Sequence, residues 1–379
     1  MLRFLRSHGI LGINARNLLY VRPYNKRDAI AFADDKLKTK AFLSARGIPT
    51  AKIYQTITSR SELREFQMSS LPHTCVLKPN FGFGGEGILI LRGRNKRGEF
   101  LVQGKRPISE KALKEHIEDI LDGSYSVNGR ADTAFFEEIL TVDERLALFR
   151  PAGLPDIRII VFNLVPVMAM LRVPTVMSGG KANMHLGGIG IGIDIARGET
   201  TYAAQYHGCI TRLPHGLPVK GIQIPHWEEM LLIASRIQSI TNIGYLAVDL
   251  TLDEDHGPML LEVNARAGLS VQLANRAPLR ARLDRVSGLS VSTPEKGVRL
   301  AQELFGERRD DERDVKVDRP VIGLHETIII RGDGIAVEEP CIIQSDQEET
   351  IFDPTFIAEL EKRGLVEWRA RDEIGRAHV

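Results

Sequence analysis

Apolar residues recur along the chain in short runs typical of strands and in three-to-four-residue spacings typical of helices. The run from Met259 to Val263 predicts a buried strand, and YLAVDLTL upstream predicts another. The linker DEDHG between them is rich in turn formers, which predicts a hairpin. On neighbouring antiparallel strands, Asp249 and Glu262 would lie side by side.

These two acids interrupt apolar strands. Glu262 and Asn264 are two residues apart, so their side chains point the same way. Carboxylate and amide oxygens are hard ligands of the kind that Mg²⁺ takes. The alternative is that Asp249 and Glu262 are exposed strand residues paired with arginines. The cost of burying an acid in an apolar strand favours the metal site.

The segment TCVLKPNFGFGGEGILIL predicts a strand, a glycine loop and a second strand, with Lys78 at the end of the first strand. Gly82, Gly84, Gly85 and Gly87 leave bare amides that can approach a polyphosphate closely. The pattern is neither a phosphate loop nor a dinucleotide fingerprint, since a strand and no helix follows. Such hairpins also carry glycines for turn reasons, so Lys78 beside the loop is what favours a phosphate-binding flap.

The rest of the chain mixes both patterns and predicts an α+β protein. Helices are predicted in ADDKLKTKAFLSARGIP, with Asp34 as the cap, at 107–122 and in HWEEMLLIASRIQSI. A strand is predicted from Ala134 to Phe136, and DIRIIVFNLVPVMAMLRVP predicts a strand pair that turns near Asn163. The basic residues 1–30 look loop-like, and a solvated surface arm is favoured over one that lines an anionic acceptor site.

The amino-acid composition narrows the possible class of protein. The chain has 379 residues, 43% of them hydrophobic, and a net charge of +1. This is typical of a soluble globular protein of two or three lobes, and the net charge favours neither nucleic acid nor an acidic membrane as a partner. Three cysteines without a CxxC pair argue against a disulfide framework or a zinc site. Such low cysteine usage favours a cytoplasmic location. Asn163 and Pro166 interrupt the longest apolar run, which argues against membrane insertion. No feature indicates an oligomeric state.

In chain order, the motifs resemble those of the ATP-grasp ligases. They are Lys36 in DDKLKTK, Lys78 with its flap, Glu137 in FFEEIL, Asp156 to Arg158, and the trio Asp249, Glu262 and Asn264. More narrowly, DIRIIVF, RVPTVMSGGKANMHLGG and EVNARAGL resemble the ribosomal-protein S6 glutamate ligase branch, and most closely its bacterial alpha-L-glutamate ligase-like proteins. The resemblance covers residues from about 9 to about 305.

The resemblance implies the ATP-grasp fold, in which two α+β lobes clamp the nucleotide. It implies a small lobe at 34–136 and a large lobe at 137–305. The charge and strand patterns outside these lobes predict a basic lead-in at 1–33, a charged linker at 306–320 and a C-terminal β-rich extension at 321–379.

It also implies residue roles toward ATP. Lys36 and Lys78 are expected to contact the α- and β-phosphates beneath the flap, and Lys38 and Lys40 leave open which lysine of that helix reaches a phosphate. Glu137 and Ile139 are expected at the adenine. The further nucleotide-binding candidates are Glu138, Asp156 and Arg158, of which Arg158 has the alternative of pairing with Asp156 or Glu138.

Asp249, Glu262 and Asn264 are the implied ligands of Mg²⁺, with Mn²⁺ as a substitute. Arg172, Asn183 and Arg266 are expected to face the γ-phosphate and an acyl phosphate made from it. The implied activity is ADP-forming ligation of an amino acid such as glutamate to the amine of a peptide or small molecule. The alternatives are an ATP-grasp small-molecule kinase and a non-catalytic nucleotide-binding regulator.

The C-terminal part carries weaker patterns. GERRDDERDVKVDR predicts an exposed linker, the stretch after it predicts short strands, and FIAELEKRGL predicts a helix. The last six residues, IGRAHV, match the translation of a widely used sequencing adapter. We hypothesise that the natural reading frame is interrupted there, and a stop codon directly after Val379 in the gene would disprove this.

Overall fold

The computed structural model describes residues 9–104, 106–149, 152–206 and 208–306, and the backbone of 325–332 and 335–342. Two antiparallel sheets, each with its own apolar core, make up most of it. We call the part built on the five-stranded sheet the small lobe and the part built on the seven-stranded sheet the large lobe. This is the α+β arrangement that the sequence predicts.

The small-lobe sheet has the strand order β1-β5-β2-β3-β4. Its strands are β1 (Ile53–Ile57), β2 (Thr74–Pro79), β3 (Leu89–Arg94), β4 (Phe100–Val102) and β5 (Ala134–Glu137). Helices cover it at Arg60–Glu65 and Glu110–Leu121. The second of these begins three residues later than predicted, because the Ser109 side chain accepts a hydrogen bond from the Ala112 amide and caps the helix there.

The large-lobe sheet has the strand order β10-β9-β8-β7-β6-β11-β12. Its strands are β6 (Asp156–Phe162), β7 (Val165–Val173), β8 (Ile189–Ile193), β9 (Thr200–Gln205), β10 (Gly208–Ile210), β11 (Tyr245–Asp253) and β12 (Gly257–Asn264). The helices of this part are Glu144–Ala147, Trp227–Thr241, Val271–Asn275, Leu279–Val286 and Pro294–Phe305. The long helix Trp227–Thr241 buries Trp227, Leu231, Ala234 and Ile237 in the core, as its spacing predicts.

Three hairpins follow the predicted pattern. β2 and β3 pair across the glycine loop, and β11 and β12 pair across the polar linker. β6 and β7 pair across Asn163 and Leu164, both of which have left-handed backbone (φ 54° and 61°) as a two-residue hairpin turn requires. The pattern of short apolar runs separated by turn formers was therefore sufficient to locate these pairs.

The N-terminal stretch differs from the predicted solvated arm. It is helical at Ile13–Arg16, Asn17–Val21, Arg22–Tyr24 and Arg27–Asp34, and a further helix follows at Lys36–Ser44. Tyr20 and Val21 are buried in the large-lobe core. Asn25 is also buried, and its amide donates to the backbone oxygens of Tyr245 and Ala265. These residues are thus an integral part of the large lobe.

The predicted helix cap shifts by one residue. Asp34 ends one helix, and the Asp35 side chain accepts from the Lys38 amide at 3.0 Å to begin the next. Farther along, β13 (His325–Gly332) and β14 (Ile335–Ile342) form an antiparallel hairpin, as predicted for the extension. The charged linker beyond residue 306, the helix FIAELEKRGL and the final hexapeptide lie outside the described residues. In the part that is described, no helix has the length and apolar character to cross a bilayer.

Candidate functional site

Asp249 is the central residue of a charged cluster at one end of the large-lobe sheet. In register it lies between Arg158 on β6 and Glu262 on β12, so all three side chains share one face. The predicted neighbourhood of Asp249 and Glu262 is therefore confirmed. Asp249 is only 1% exposed, which makes its charge dependent on the partners around it.

Two arginines supply those partners. Arg158 donates from Nε and Nη2 to the two Asp249 oxygens at 2.8 and 2.6 Å, and Arg172 donates from Nη2 at 2.8 Å. Burial by itself would raise the pKa of Asp249, but the two guanidinium groups outweigh it and hold that pKa well below the ordinary value. Arg158 thus pairs with neither of the partners that the sequence left open, Asp156 and Glu138.

Arg172 joins Asp156 to the same cluster. Its Nε and Nη2 reach the two Asp156 oxygens at 2.5 and 2.6 Å, a bidentate pair across strands β6 and β7. Burial raises the pKa of Asp156 to about 6, against the opposing effect of Arg172. Arg158 and Arg172 therefore hold Asp249 in place, and Asp156 holds Arg172. The roles of these three residues toward ATP stay predictions.

Glu262 and Asn264 form the open edge of the cluster. Both are half-buried, and the Asn264 Nδ2 lies 3.1 Å from Asp249 Oδ2 and 3.2 Å from Glu262 Oε1. The Asn264 amide N–H lies between the carboxylates of Asp249 and Glu262, where a bound cation would neutralise both. If the amide flips, Asn264 presents Oδ1 to that cation in place of Nδ2. Two carboxylates and one amide oxygen fit a hard divalent cation. Among the described residues, no group of three or more His, Cys, Asp or Glu could hold a metal, so Asn264 is essential to this fit.

A second buried carboxylate, Glu137, lies at the end of β5 in the small lobe. Its oxygens contact Nζ of Lys40 at 2.7 Å and Nζ of Lys78. Burial would raise the pKa of Glu137, but Lys78 and Lys40 outweigh it and lower that pKa. Burial also lowers the pKa of Lys40, in spite of the attraction of Glu137. The Glu137 carboxylate is thus engaged by lysines, and contact with an adenine would fall to the backbone of this segment.

Lys36 links the two clusters. Its Nζ donates to the backbone oxygens of Gly82 at 2.6 Å and Asn80 at 3.2 Å. Burial lowers its pKa, while the charge of Glu262 raises it. On the same helix Lys38 is exposed and Lys40 is committed to Glu137. Lys36 is therefore the lysine of this helix that lies at the glycine loop.

The glycine loop from Gly82 to Gly87 is fixed at both ends. Before it, the Phe81 amide donates to both oxygens of buried Asp132 at 3.0 and 2.9 Å. At its end, the Gly87 oxygen lies 2.9 Å from His116 Nε2. Gly87 has φ +72°, and a Cβ there would lie 2.6 Å from the Tyr125 ring. Gly84 and Gly85 also have left-handed φ, so the loop needs glycine for conformation and, at Gly87, for space.

Sequence reasoning missed the residues that anchor this loop. Asp132 and His116 carry no local signature, since their role depends on packing between distant segments. Lys181 was missed as well, although it lies in a quoted motif. Its Nζ is 2.5 Å from Glu86 Oε1, which connects the glycine loop to the large-lobe loop at 174–188.

The remaining predicted residues have other partners in this structure. Asn183 accepts from the His185 amide at 2.9 Å. Arg266 is half exposed and pairs with Asp34 at 3.2 Å. Glu138 accepts from the Lys52 amide at 3.2 Å, and Ile139 is half-buried at the end of β5. The roles of these four residues toward ATP stay predictions.

A family model described as sugar-transfer associated ATP-grasp matches residues 15–288. The chain belongs to this ATP-grasp family. The fold that the sequence motifs predict is thereby confirmed, while the ribosomal-protein S6 glutamate ligase branch stays a prediction. A search of curated proteins found no match.

The chain also has a distant likeness to several solved structures. One is the ATP-grasp ligase PsnB complexed with a minimal precursor, at 16% identity and a TM-score of 0.38, covering 69% of this chain and 62% of that one. D-cycloserine synthetase DcsG has 13% identity and a TM-score of 0.36, covering 72% and 71%. D-alanine–D-alanine ligase from Bacillus anthracis complexed with ATP has 15% identity and a TM-score of 0.35, covering 73% and 69%. This ATP-grasp chain thus spans less than two thirds of the PsnB chain.

Proposed function

We propose that this protein is an ATP-dependent, ADP-forming carboxylate–amine ligase. The observation that supports the proposal is that Lys36, which donates to the Gly82 oxygen of the glycine loop, interacts electrostatically with Lys78 of the lysine-rich cluster and with Glu262 of the carboxylate-rich cluster. A triphosphate and a divalent cation have the complementary charges. Phosphoryl transfer asks a protein mainly for positioning and charge neutralisation, which these two clusters supply.

In this proposal the lysines position the nucleotide. Lys36 and Lys78 contact the α- and β-phosphates, and Lys40 stays with Glu137, which keeps Lys78 in place. The amides between Gly82 and Gly87 cover the phosphates and exclude water from the reacting groups. Mg²⁺ or Mn²⁺, held by Asp249, Glu262 and Asn264, would neutralise the β- and γ-phosphates.

The reaction has two steps. A substrate carboxylate oxygen attacks the γ-phosphorus, and ADP leaves. The amine of the second substrate then attacks the acyl carbon, inorganic phosphate leaves, and an amide bond forms. Arg266 and Asn183 are the proposed contacts of the transferred phosphoryl group, and Arg172 acts through Asp249, which it holds. The need for ATP favours a cytoplasmic location.

The substrates are a finer proposal. The motifs shared with the S6 glutamate ligase branch favour an amino acid such as glutamate and a peptide or small-molecule amine. The family description, sugar-transfer associated, favours an amino sugar or a sugar acid as the second candidate. Both candidates use the same chemistry, since each supplies a carboxylate or an amine.

The test is ADP release with ATP and Mg²⁺ across amino acids, short peptides, amino sugars and sugar acids. We expect release only with a matching acid and amine, and loss of at least a hundredfold in Glu262→Ala. Mass spectrometry of the product would show an amide. A stable phosphorylated product would instead establish a kinase, and ATP binding without turnover on any substrate would favour a regulator.

A further inference from the structure

Positive charge is concentrated at the N-terminus of this chain. The first 27 residues contain six of the 50 Lys and Arg residues and none of the 49 Asp and Glu residues. The rest of the chain therefore carries a formal charge of −5, and the overall value of +1 conceals this segregation. A local excess of positive charge of this kind favours an anionic partner.

The described part of this segment presents its cations to solvent. Arg22, Lys26 and Arg27 are exposed, and among the described residues they form no ion pair or side-chain hydrogen bond. Arg16 differs, because its guanidinium donates to the Ala267 oxygen at 2.8 Å and to Asn17. Three cations are thus available for an external anionic partner.

Large apolar side chains are exposed among these cations. Ile13 is 63% exposed, Leu18 is 59% exposed and Leu19 is 43% exposed. Residues 1–8 continue the same composition, with Leu2, Phe4 and Leu5 next to Arg3 and Arg6. We call the side chains of Ile13, Leu18, Leu19, Arg22, Lys26 and Arg27 the basic apolar surface.

The basic apolar surface is firmly attached to the large lobe. The Tyr20 hydroxyl donates to Asp284 at 2.6 Å, and its ring packs edge-on against Phe162. The Leu11 amide donates to Gln272 at 2.8 Å. Since Arg16 contacts Ala267, just beyond β12, the segment also adjoins the strand that carries Glu262 and Asn264. Exposure of the leucines is therefore a feature of a packed element and not of a frayed end.

We propose that the basic apolar surface docks on an anionic lipid bilayer, with the protein lying on the membrane and not crossing it. Apolar side chains that enter the headgroup boundary, together with Lys and Arg attracted to anionic lipid, are the two components of interfacial binding. A second copy of the chain fits less well, because two identical positive surfaces would face each other. If the proposed ligase activity holds, docking would present its site to substrates held at the membrane.

The experiment is co-sedimentation of the full chain with vesicles of phosphatidylcholine, with and without phosphatidylglycerol. We expect binding to the vesicles that contain phosphatidylglycerol, weakening as salt is added, and no binding to phosphatidylcholine alone. The assay needs no substrate or turnover, so its result is independent of whether the ligase proposal holds.

Matched variants distinguish docking through the basic apolar surface from nonspecific electrostatic or hydrophobic binding to vesicles. Lys26→Gln with Arg27→Gln should lower the affinity roughly tenfold or more. The same pair of changes at Lys96 and Arg97, an equally exposed Lys-Arg pair in the small lobe, should leave it unchanged. Leu18→Gln with Leu19→Gln should lower the affinity, whereas Val176→Gln with Met177→Gln, also exposed and adjacent, should not. Unchanged melting temperatures would show that the variants fold.

Three outcomes would overturn the proposal. The first is absence of binding, and the second is equal binding to both kinds of vesicle. The third is equal loss in the N-terminal variants and their controls. Sedimentation equilibrium adds a decisive alternative: a dimer that Leu18→Gln with Leu19→Gln dissociates, without lipid binding, would assign the surface to a second copy of the chain.

Discussion

Each lobe contains a buried carboxylate held by two cations, and the two clusters differ in kind. In the large lobe, Asp249 is held by Arg158 and Arg172. In the small lobe, Glu137 is held by Lys40 and Lys78. A guanidinium presents a rigid fork that fixes a carboxylate at two points, whereas an ammonium is a compact charge that can serve a second anion.

Their surroundings differ in sign. The large-lobe cluster gains two further acids, Asp156 and Glu262, so carboxylates outnumber arginines. The small-lobe cluster gains Lys36, whose electrostatic neighbours include Lys78. Under the proposed function, the large-lobe cluster would take the cation and the small-lobe cluster the phosphates. Similar ion pairs can therefore fix a carboxylate in place, as at Asp249, or keep a lysine available, as at Lys78.

Among the substitutions that test the difference between the two clusters, Asp249→Ala should lower the free energy of unfolding most. It leaves buried Arg158 and partly buried Arg172 without their shared acceptor, which should lower the free energy of unfolding by about 3–5 kcal/mol. Glu262→Ala is the matched control, because Glu262 is half-buried and contacts Asn264 at 3.2 Å. The control should lose about 1 kcal/mol or less. Urea unfolding of both variants measures the difference, and equal losses would contradict the central position of Asp249.

Glu137→Gln tests the small-lobe cluster through pH. The pKa of Glu137 is lower in the folded chain than its ordinary value of about 4.3. Such a carboxyl stabilises the fold above its ordinary pKa, and the contribution is lost as pH falls through the folded pKa. The stability difference between wild type and variant should therefore be constant from pH 7 to pH 5 and shrink below the ordinary pKa. Urea unfolding across this pH range measures the difference. A stability difference that grows as pH falls would mean that the pKa of Glu137 is raised on folding and not lowered.

Lys40→Met and Lys38→Met should differ in stability, which distinguishes two lysines of one helix whose roles the sequence alone left open. Lys40 is buried against Glu137, so its loss leaves Lys78 as the remaining lysine partner and should cost about 1–3 kcal/mol. Lys38 is exposed on the same helix, and its change should stay within about 0.5 kcal/mol. Thermal and urea unfolding measure both. A larger loss in Lys38→Met would mean that the helix faces the other way.

The sequence was most informative where a pattern is local. Alternation along β11 and β12, with turn formers between them, was enough to predict that Asp249 faces Glu262, because a hairpin determines its own register. The partner of Arg158 could not be predicted in the same way. It depends on β6 lying beside β11, and these strands are far apart in the chain. Strand order, which pattern alone leaves open, decided the arginine pairing.

The N-terminal helices were missed for a different physical reason. Their apolar face is interrupted by a π-helical turn at Asn17–Val21, which shifts the spacing of the buried Tyr20 and Val21. Asn25, polar in the sequence, is buried because it hydrogen-bonds strand backbone at Tyr245 and Ala265. Such burial depends on a partner elsewhere in the chain, and local periodicity contains no information about it.

The smallest expected effect concerns an ion pair outside both clusters. Arg266 and Asp34 are each about half exposed and 3.2 Å apart, and exposed pairs contribute about 0–1 kcal/mol. Asp34→Asn and Arg266→Gln should therefore change unfolding free energy little and equally. Their activities should differ: if Arg266 contacts the transferred phosphoryl group, Arg266→Gln lowers substrate-dependent ADP release, while Asp34→Asn frees the arginine and leaves release unchanged or higher. Equal activity in both variants would remove Arg266 from the site and leave charge neutralisation to Lys36, Lys78 and the bound cation.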